Sequence, residues 1–265
     1  DEVNNEYFNV GDKSLMLRGA QISGGSRAIE LGLITLKKTK NLGNIMLLIA
    51  FFCIISLSIN IYLETKSFKN ILGIIVIGFL GSFLAYFYTA KPLRLSARKG
   101  LGEFVIFLTF GPLLTLGSLF AMSNTPLDIT FYTLKDFILI GIPLGLLTAN
   151  ILFINQFPDY QSDKKSDKIN LVVLFGKKLS RWIYLLNLIL IFFSTFYFIQ
   201  EIYRFVPQFN NNIFYIIFSI IFLYGLYIFS GLLKYYDSRK LINYNIHTIY
   251  YQIIFCIGLI LTFYI

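Results

Sequence analysis

Histidine, tryptophan and cysteine are nearly missing from this chain: one His, one Trp and two Cys stand among 265 residues. The lone histidine, His247, excludes a multi-histidine metal site. It reads as a polar residue at the membrane interface, where the last apolar run begins. Cys53 and Cys256 both lie inside apolar runs with no metal-ligating neighbours, so neither a disulfide framework nor a thiolate site is implied. Charge is scarce too, with 14% Asp, Glu, Lys and Arg against 56% apolar residues. With a mean hydropathy of +0.69, this excludes an ordinary soluble domain. No P-loop, dinucleotide fingerprint or heptad repeat is present. No signal peptide is visible ahead of the first run. Residue 1 is Asp rather than Met, so the natural start is expected to lie upstream.

What fills the chain instead is a series of seven apolar runs. They lie near Asn44–Leu63, Asn70–Thr89, Glu103–Met122, Phe137–Phe157, Ile183–Tyr203, Asn212–Leu232 and Ile246–Ile265. Each approaches the ~20 residues that a membrane-spanning helix needs. Backbone groups in hydrocarbon must bond within their own segment, so these runs are predicted to be helices despite their wealth of Ile, Phe and Tyr. Gly111-Pro112 should kink the third run. Asn150 and Asn155 in the fourth should face the bundle interior. The segment Ala28–Lys40 reads as a short interfacial helix.

The net charge of +9 has a pattern. Alternate connections carry most of the cations: Lys13 to Lys40, then Lys91 to Lys99, then Lys164 to Arg181, then Lys234 to Lys240. The opposite connections carry Lys66, Lys69, Lys135 and Arg204. By the positive-inside rule the first set is cytoplasmic and the C-terminus lies outside. The basic balance is therefore topology, not nucleic-acid binding.

The polar signals gather in the same basic connections. Asn155, Asp159 and Asp163 are spaced four apart. A helix continued through them puts all three on one face. Acidic groups at the mouth of a membrane helix need a partner, and a divalent cation with a diphosphate is a natural one. A solvated charged loop is the plain alternative. Asp1, Asn5 and Asn9 repeat the spacing, and Ser23-Gly-Gly-Ser26-Arg27 reads as a flexible turn that ends in a cation. Tyr88-Thr-Ala, Pro92, Arg94 and Gly100-Leu-Gly-Glu103 follow the second run.

Taken in order, these pieces resemble the UbiA superfamily of membrane prenyltransferases. The likeness is nearest to the branch that prenylates 1,4-dihydroxy-2-naphthoate on the route to menaquinone. It rests on Asn5-Glu-Tyr-Phe-Asn9, on Gly24–Arg27, on Tyr88 through Pro112, and on Asn155-x-x-x-Asp159-x-x-x-Asp163 with Lys168. It implies a single all-α membrane domain over 1–265, a UbiA-like bundle around a central cavity. Seven full transmembrane helices and the end of an eighth are expected, with the family's first helix and most of its second lacking. The chain departs from the family's first motif, with Glu6, Asn9 and Lys13 where that motif has Asp.

The resemblance further implies an enzyme of the plasma (inner) membrane with its motif loops cytoplasmic. Asn155, Asp159, Asp163, Asn5 and Asn9 would hold Mg2+. Arg27, Arg94 and Lys168 would bind the diphosphate, and Asp159, Asp163 and Lys168 would serve catalysis. The partners implied are a polyprenyl diphosphate, an aromatic acceptor and the lipid bilayer. An allylic cation would form and be attacked by the electron-rich ring. Two rival readings stay open from the residues alone. Broken helices and intramembrane Asn suit a transporter-like bundle, and the altered first motif suits an inactive fragment.

Overall fold

The computed structural model describes residues 28–29, 32–122, 131–205 and 211–262. Among them are α1 (Leu36–Thr65), α2 (Phe68–Thr89), α3 (Leu101–Leu108), α4 (Leu114–Met122), α5 (Phe131–Asn155), α6 (Tyr160–Lys165), α7 (Leu171–Phe205), α8 (Asn211–Tyr235) and α9 (Leu241–Thr262). No β-strand occurs among the described residues. Seven stretches are long and apolar enough to cross a bilayer, with α3 and α4 counting together as Leu101–Met122. The architecture is an all-α integral membrane bundle, as the runs predict.

Two boundaries differ from the sequence reading. Thr35 caps α1 by accepting a hydrogen bond from the Lys38 amide (3.3 Å). Residues 36–40 therefore continue into the first span, and residues 28–29 and 32–34 are turns, not an interfacial helix. The fifth span starts at Leu171, well ahead of the expected Ile183, with its helical angles interrupted at Gly176 (φ 76°, ψ 152°). Lys177, Lys178 and Arg181 hid this helical stretch, because they part the apolar Leu171–Phe175 from the long run beyond Ile183.

α5 is the axis of the packing. It touches α3, α4, α7 and α9, while α7 packs on α8 and α8 on α9. These four helices, α5 and α7 to α9, close on a core that includes Leu147, Phe153, Tyr184, Leu188, Phe218 and Phe255. On its other side α5 meets the broken span, which leads to α2 and then α1. In α1 the buried residues are Ile61 and Thr65, and the other described residues leave most of its surface uncovered.

The break between α3 and α4 falls where Gly111-Pro112 predicts it. Thr109–Leu113 forms a π turn, and Gly111 leaves helical angles (φ −115°, ψ −105°). Pro112 has no N–H to continue the ladder. The bend lets two backbones touch. A Cβ on Gly111 would lie 2.8 Å from Gly145 Cα, and one on Gly141 would lie 2.6 Å from Pro112 N. The Thr115 hydroxyl donates across the contact to the Phe137 carbonyl (2.6 Å).

Three basic connections share one end of the bundle. The Ile169 amide donates to the Ala97 carbonyl (3.1 Å), and Lys177 Nζ pairs with Asp237 (2.6 Å). Lys135 and Glu201 pair across two helices at the opposite end (3.4 Å).

Candidate functional site

The site grows from the end of α5. The helix stops at Asn155, and residues 156–159 form a turn. Pro158 supplies no amide, and the residue before a proline is pushed out of helical angles. The turn tightens to i→i+3 bonds, from Gln156 N to Phe153 O (3.2 Å) and from Phe157 N to Ile154 O (3.4 Å). The continuous helix expected through Asn155, Asp159 and Asp163 is therefore replaced by two helices. Asp159 heads α6, and its carbonyl accepts the Asp163 amide (2.8 Å). The two aspartates keep their one-turn spacing on α6, and Asn155 stays on α5. The Asn155 amide oxygen accepts from Asn245 Nδ2 on α9 (2.7 Å), so Asn155 also braces α5 against α9.

Asp163 is the best-held member. It is buried at 6% exposure. Its Oδ2 accepts from Asn170 Nδ2 (2.6 Å), and its Oδ1 lies 3.2 Å from Lys168 Nζ. The Lys168 amide donates to the Asp163 carbonyl (2.9 Å), which closes the loop on itself. Burial pushes the Asp163 carboxyl above the usual carboxylate range. Lys168 and Asn170 pull it down, and the Glu103 charge adds to the rise. The cation that faces Asp163 here is thus the ammonium of Lys168. Asp159 is partly exposed.

A second layer fixes this loop. Asn170 Oδ1 accepts from the Val173 amide (2.8 Å), capping α7. Glu103, buried at 6% exposure, accepts the Leu171 amide on its Oε1 (2.8 Å). Its Oε2 is buried without a hydrogen-bond partner. Gly100, at φ 87°, makes the left-handed turn that starts α3 and brings Glu103 there. Arg94 also sits at positive φ (43°), heading the 3-10 turn Leu95–Ala97. Ala97 in that turn receives the Ile169 amide. Arg98 donates to the carbonyls of Leu93 and Pro92 and stiffens the same loop.

The structure thus brings together the segments of Asp159, Asp163, Lys168 and Arg94. Asn5, Asn9 and Arg27 lie outside the described residues. Asn150 faces the interior as predicted, accepting from Asn187 Nδ2 (2.9 Å). Glu103 and Asn170 were not singled out from sequence as site residues. For Glu103 the available signal was an acidic residue placed at a helix start by Gly100 and Gly102. Nothing in the spacing signalled Asn170. Among the described residues no group of three or more His, Cys, Asp and Glu is gathered for a metal.

Beneath this end the bundle is apolar. A small cavity of ≈ 90 Å³ is lined by Phe192, Phe196, Phe214, Phe218 and Tyr251 among others. It opens along α7 about twenty residues, or roughly 30 Å, from Leu171.

Comparison with known proteins gives distant relatives. "UbiA prenyltransferase domain-containing protein 1" of Dictyostelium discoideum is 29% identical over 145 residues, 54% of this chain and 42% of the relative. The 2-carboxy-1,4-naphthoquinone phytyltransferase of Synechocystis is 30% identical over 113 residues, 43% and 34% of the two chains. The 1,4-dihydroxy-2-naphthoate octaprenyltransferase of Escherichia coli is 26% identical over 154 residues, 58% and 46%. The matched stretches span less than half of each relative. No solved structure matches significantly. The model of the UbiA prenyltransferase family matches residues 25–249, most of the chain, and the protein belongs to that family.

Proposed function

We propose that the protein transfers a polyprenyl group from a prenyl diphosphate to an aromatic acceptor, with Mg2+, and that the acceptor is 1,4-dihydroxy-2-naphthoate. The observation that carries this reading is Asp159 and Asp163 one turn apart on α6. They sit at the basic end of an apolar bundle, next to the loop of Arg94. The acceptor is suggested by the names of two relatives, both of which act on naphthalene-type rings.

The donor set fits a hard divalent cation. Carboxylate oxygens are its preferred ligands, Asp163 is buried against the lysine charge, and Glu103 Oε2 is buried and unbonded. Asp159 and Asp163 would hold the ion, with Asn155, Asn5 and Asn9 as the further oxygen donors of the two motifs. When bound, Mg2+ supplies positive charge against the oxygens of the departing diphosphate. Lys168, Arg94 and Arg27 bind the remaining oxygens, the arginines through their paired N–H groups. The allylic C–O bond breaks with its electrons on diphosphate, and a ring carbon of the acceptor forms the new C–C bond. In the naphthoate case the ring carboxylate leaves as carbon dioxide. The apolar walls keep water from the allylic cation, and an integral membrane location suits a lipid-soluble tail.

The test is to incubate membranes containing the full-length protein with dihydroxynaphthoate and a radiolabelled polyprenyl diphosphate. A labelled prenylated product that vanishes with EDTA and returns with Mg2+ is expected. Product formation unaffected by the chelator would overturn the metal dependence.

A further inference from the structure

Glu103 is a carboxylate near the donor set to which the reading above gives no role of its own, and its surroundings are unusual. It sits in the first turn of α3, an otherwise apolar helix. Only 6% of it is exposed. One oxygen caps α7 through the Leu171 amide (2.8 Å). The other is sealed from solvent with nothing to accept from. A buried carboxylate oxygen without a donor costs free energy that the fold must recover elsewhere. Holding α7 needs a single acceptor, which a glutamine would supply equally well. The cap accounts for one oxygen of Glu103 and not for its charge.

The charge has a neighbour. Glu103 is one of the groups that raise the Asp163 carboxyl. The two are also joined through the chain, because Leu171 follows Asn170 and Asn170 Nδ2 holds Asp163 Oδ2 (2.6 Å). Glu103 thus fixes the start of α7, the start of α7 fixes Asn170, and Asn170 fixes Asp163. A cation reaching Asp163 would meet the field of two carboxylates within one braced unit.

We propose that Glu103 is a positioning residue of the cation site: its Oε1 sets Asp163 through α7 and Asn170, and its unpartnered Oε2 supplies a second negative charge that strengthens divalent-cation binding without ligating the ion. The proposal rests on the reading of Asp159 and Asp163 as metal carriers. Partners of this kind around a metal ligand change affinity by about 10- to 100-fold when removed.

The test uses Mn2+ binding to the full-length protein in lipid nanodiscs, followed by the loss of the free-ion electron paramagnetic resonance signal. Thermal unfolding of the same samples without metal is recorded in parallel. Glu103→Gln keeps the acceptor for Leu171 and removes the charge, so Mn2+ should bind about 10-fold more weakly with little change in unfolding temperature. Asn170→Ala cuts the link to Asp163 at another point and should also weaken Mn2+ binding. A purely structural Glu103 predicts wild-type Mn2+ affinity for E103Q, whatever its unfolding temperature. The proposal is overturned if E103Q and N170A bind Mn2+ like the wild type while Asp163→Asn does not bind it. If E103Q fails to fold, N170A decides on the same criterion. Absence of saturable Mn2+ binding to the wild type would sink the metal reading itself, and this proposal with it.

Discussion

Asp163 concentrates the chemistry of the site in one buried side chain, and its behaviour with pH follows. Burial holds its proton more tightly in the folded protein than in the unfolded chain. The protonated form is thus favoured by folding. That contribution to stability is fully present below the ordinary carboxylate range and is lost as pH rises through the raised value. Cation binding runs the other way, because the ion competes with the proton. Mn2+ affinity of the wild type should fall as pH drops through the raised Asp163 value, measured by titration between acid and neutral pH. Asn170→Ala removes a helix cap worth about 1 kcal/mol, so its unfolding temperature should also drop modestly. The spacing of Asp159 and Asp163 was legible in the sequence. The partner of Asn155 was not, because Asn245 lies ninety residues away and nothing local links them.

At the scale of the element, two breaks decide the geometry. The Gly111-Pro112 break was legible because proline removes a donor wherever it stands in a helix. The break after Asn155 was missed although Pro158 lies inside it. A four-residue spacing fits one long helix as well as two helices separated by a turn, and the spacing was given more weight than the proline. The first break matters because α5 presses its own backbone against it. Gly145→Ala would force a methyl against the α3–α4 backbone. Overpacking of this kind costs about 1 to 3 kcal/mol. The unfolding temperature in nanodiscs should fall, while a substitution at Gly81, where the added atom meets nothing within 4 Å, should leave it nearly unchanged.

For the whole molecule, the number of spans and their shared basic end were readable because bilayer thickness sets run length and loop charge sets side. The packing order was not readable, since the exposed helix and the central one read alike. α1 is mostly exposed and α5 sits at the centre of the contacts, yet both read as uniform apolar runs. The topology makes its own prediction. In a background without Cys53 and Cys256, a cysteine at Lys164 should react with an impermeant maleimide from the cytoplasmic side, and one at Lys66 from the outer side. Reaction of both from one side would contradict the alternation of loops.

The account stands on the two aspartates of α6 carrying prenyl transfer. The most direct measurement is the rate of labelled product formation by membranes containing the full-length protein, wild type against Asp159→Ala/Asp163→Ala at matched expression. The account predicts a drop of roughly 100-fold or more, the scale of losing a preorganised electrostatic partner. A double variant that makes product at the wild-type rate would contradict it.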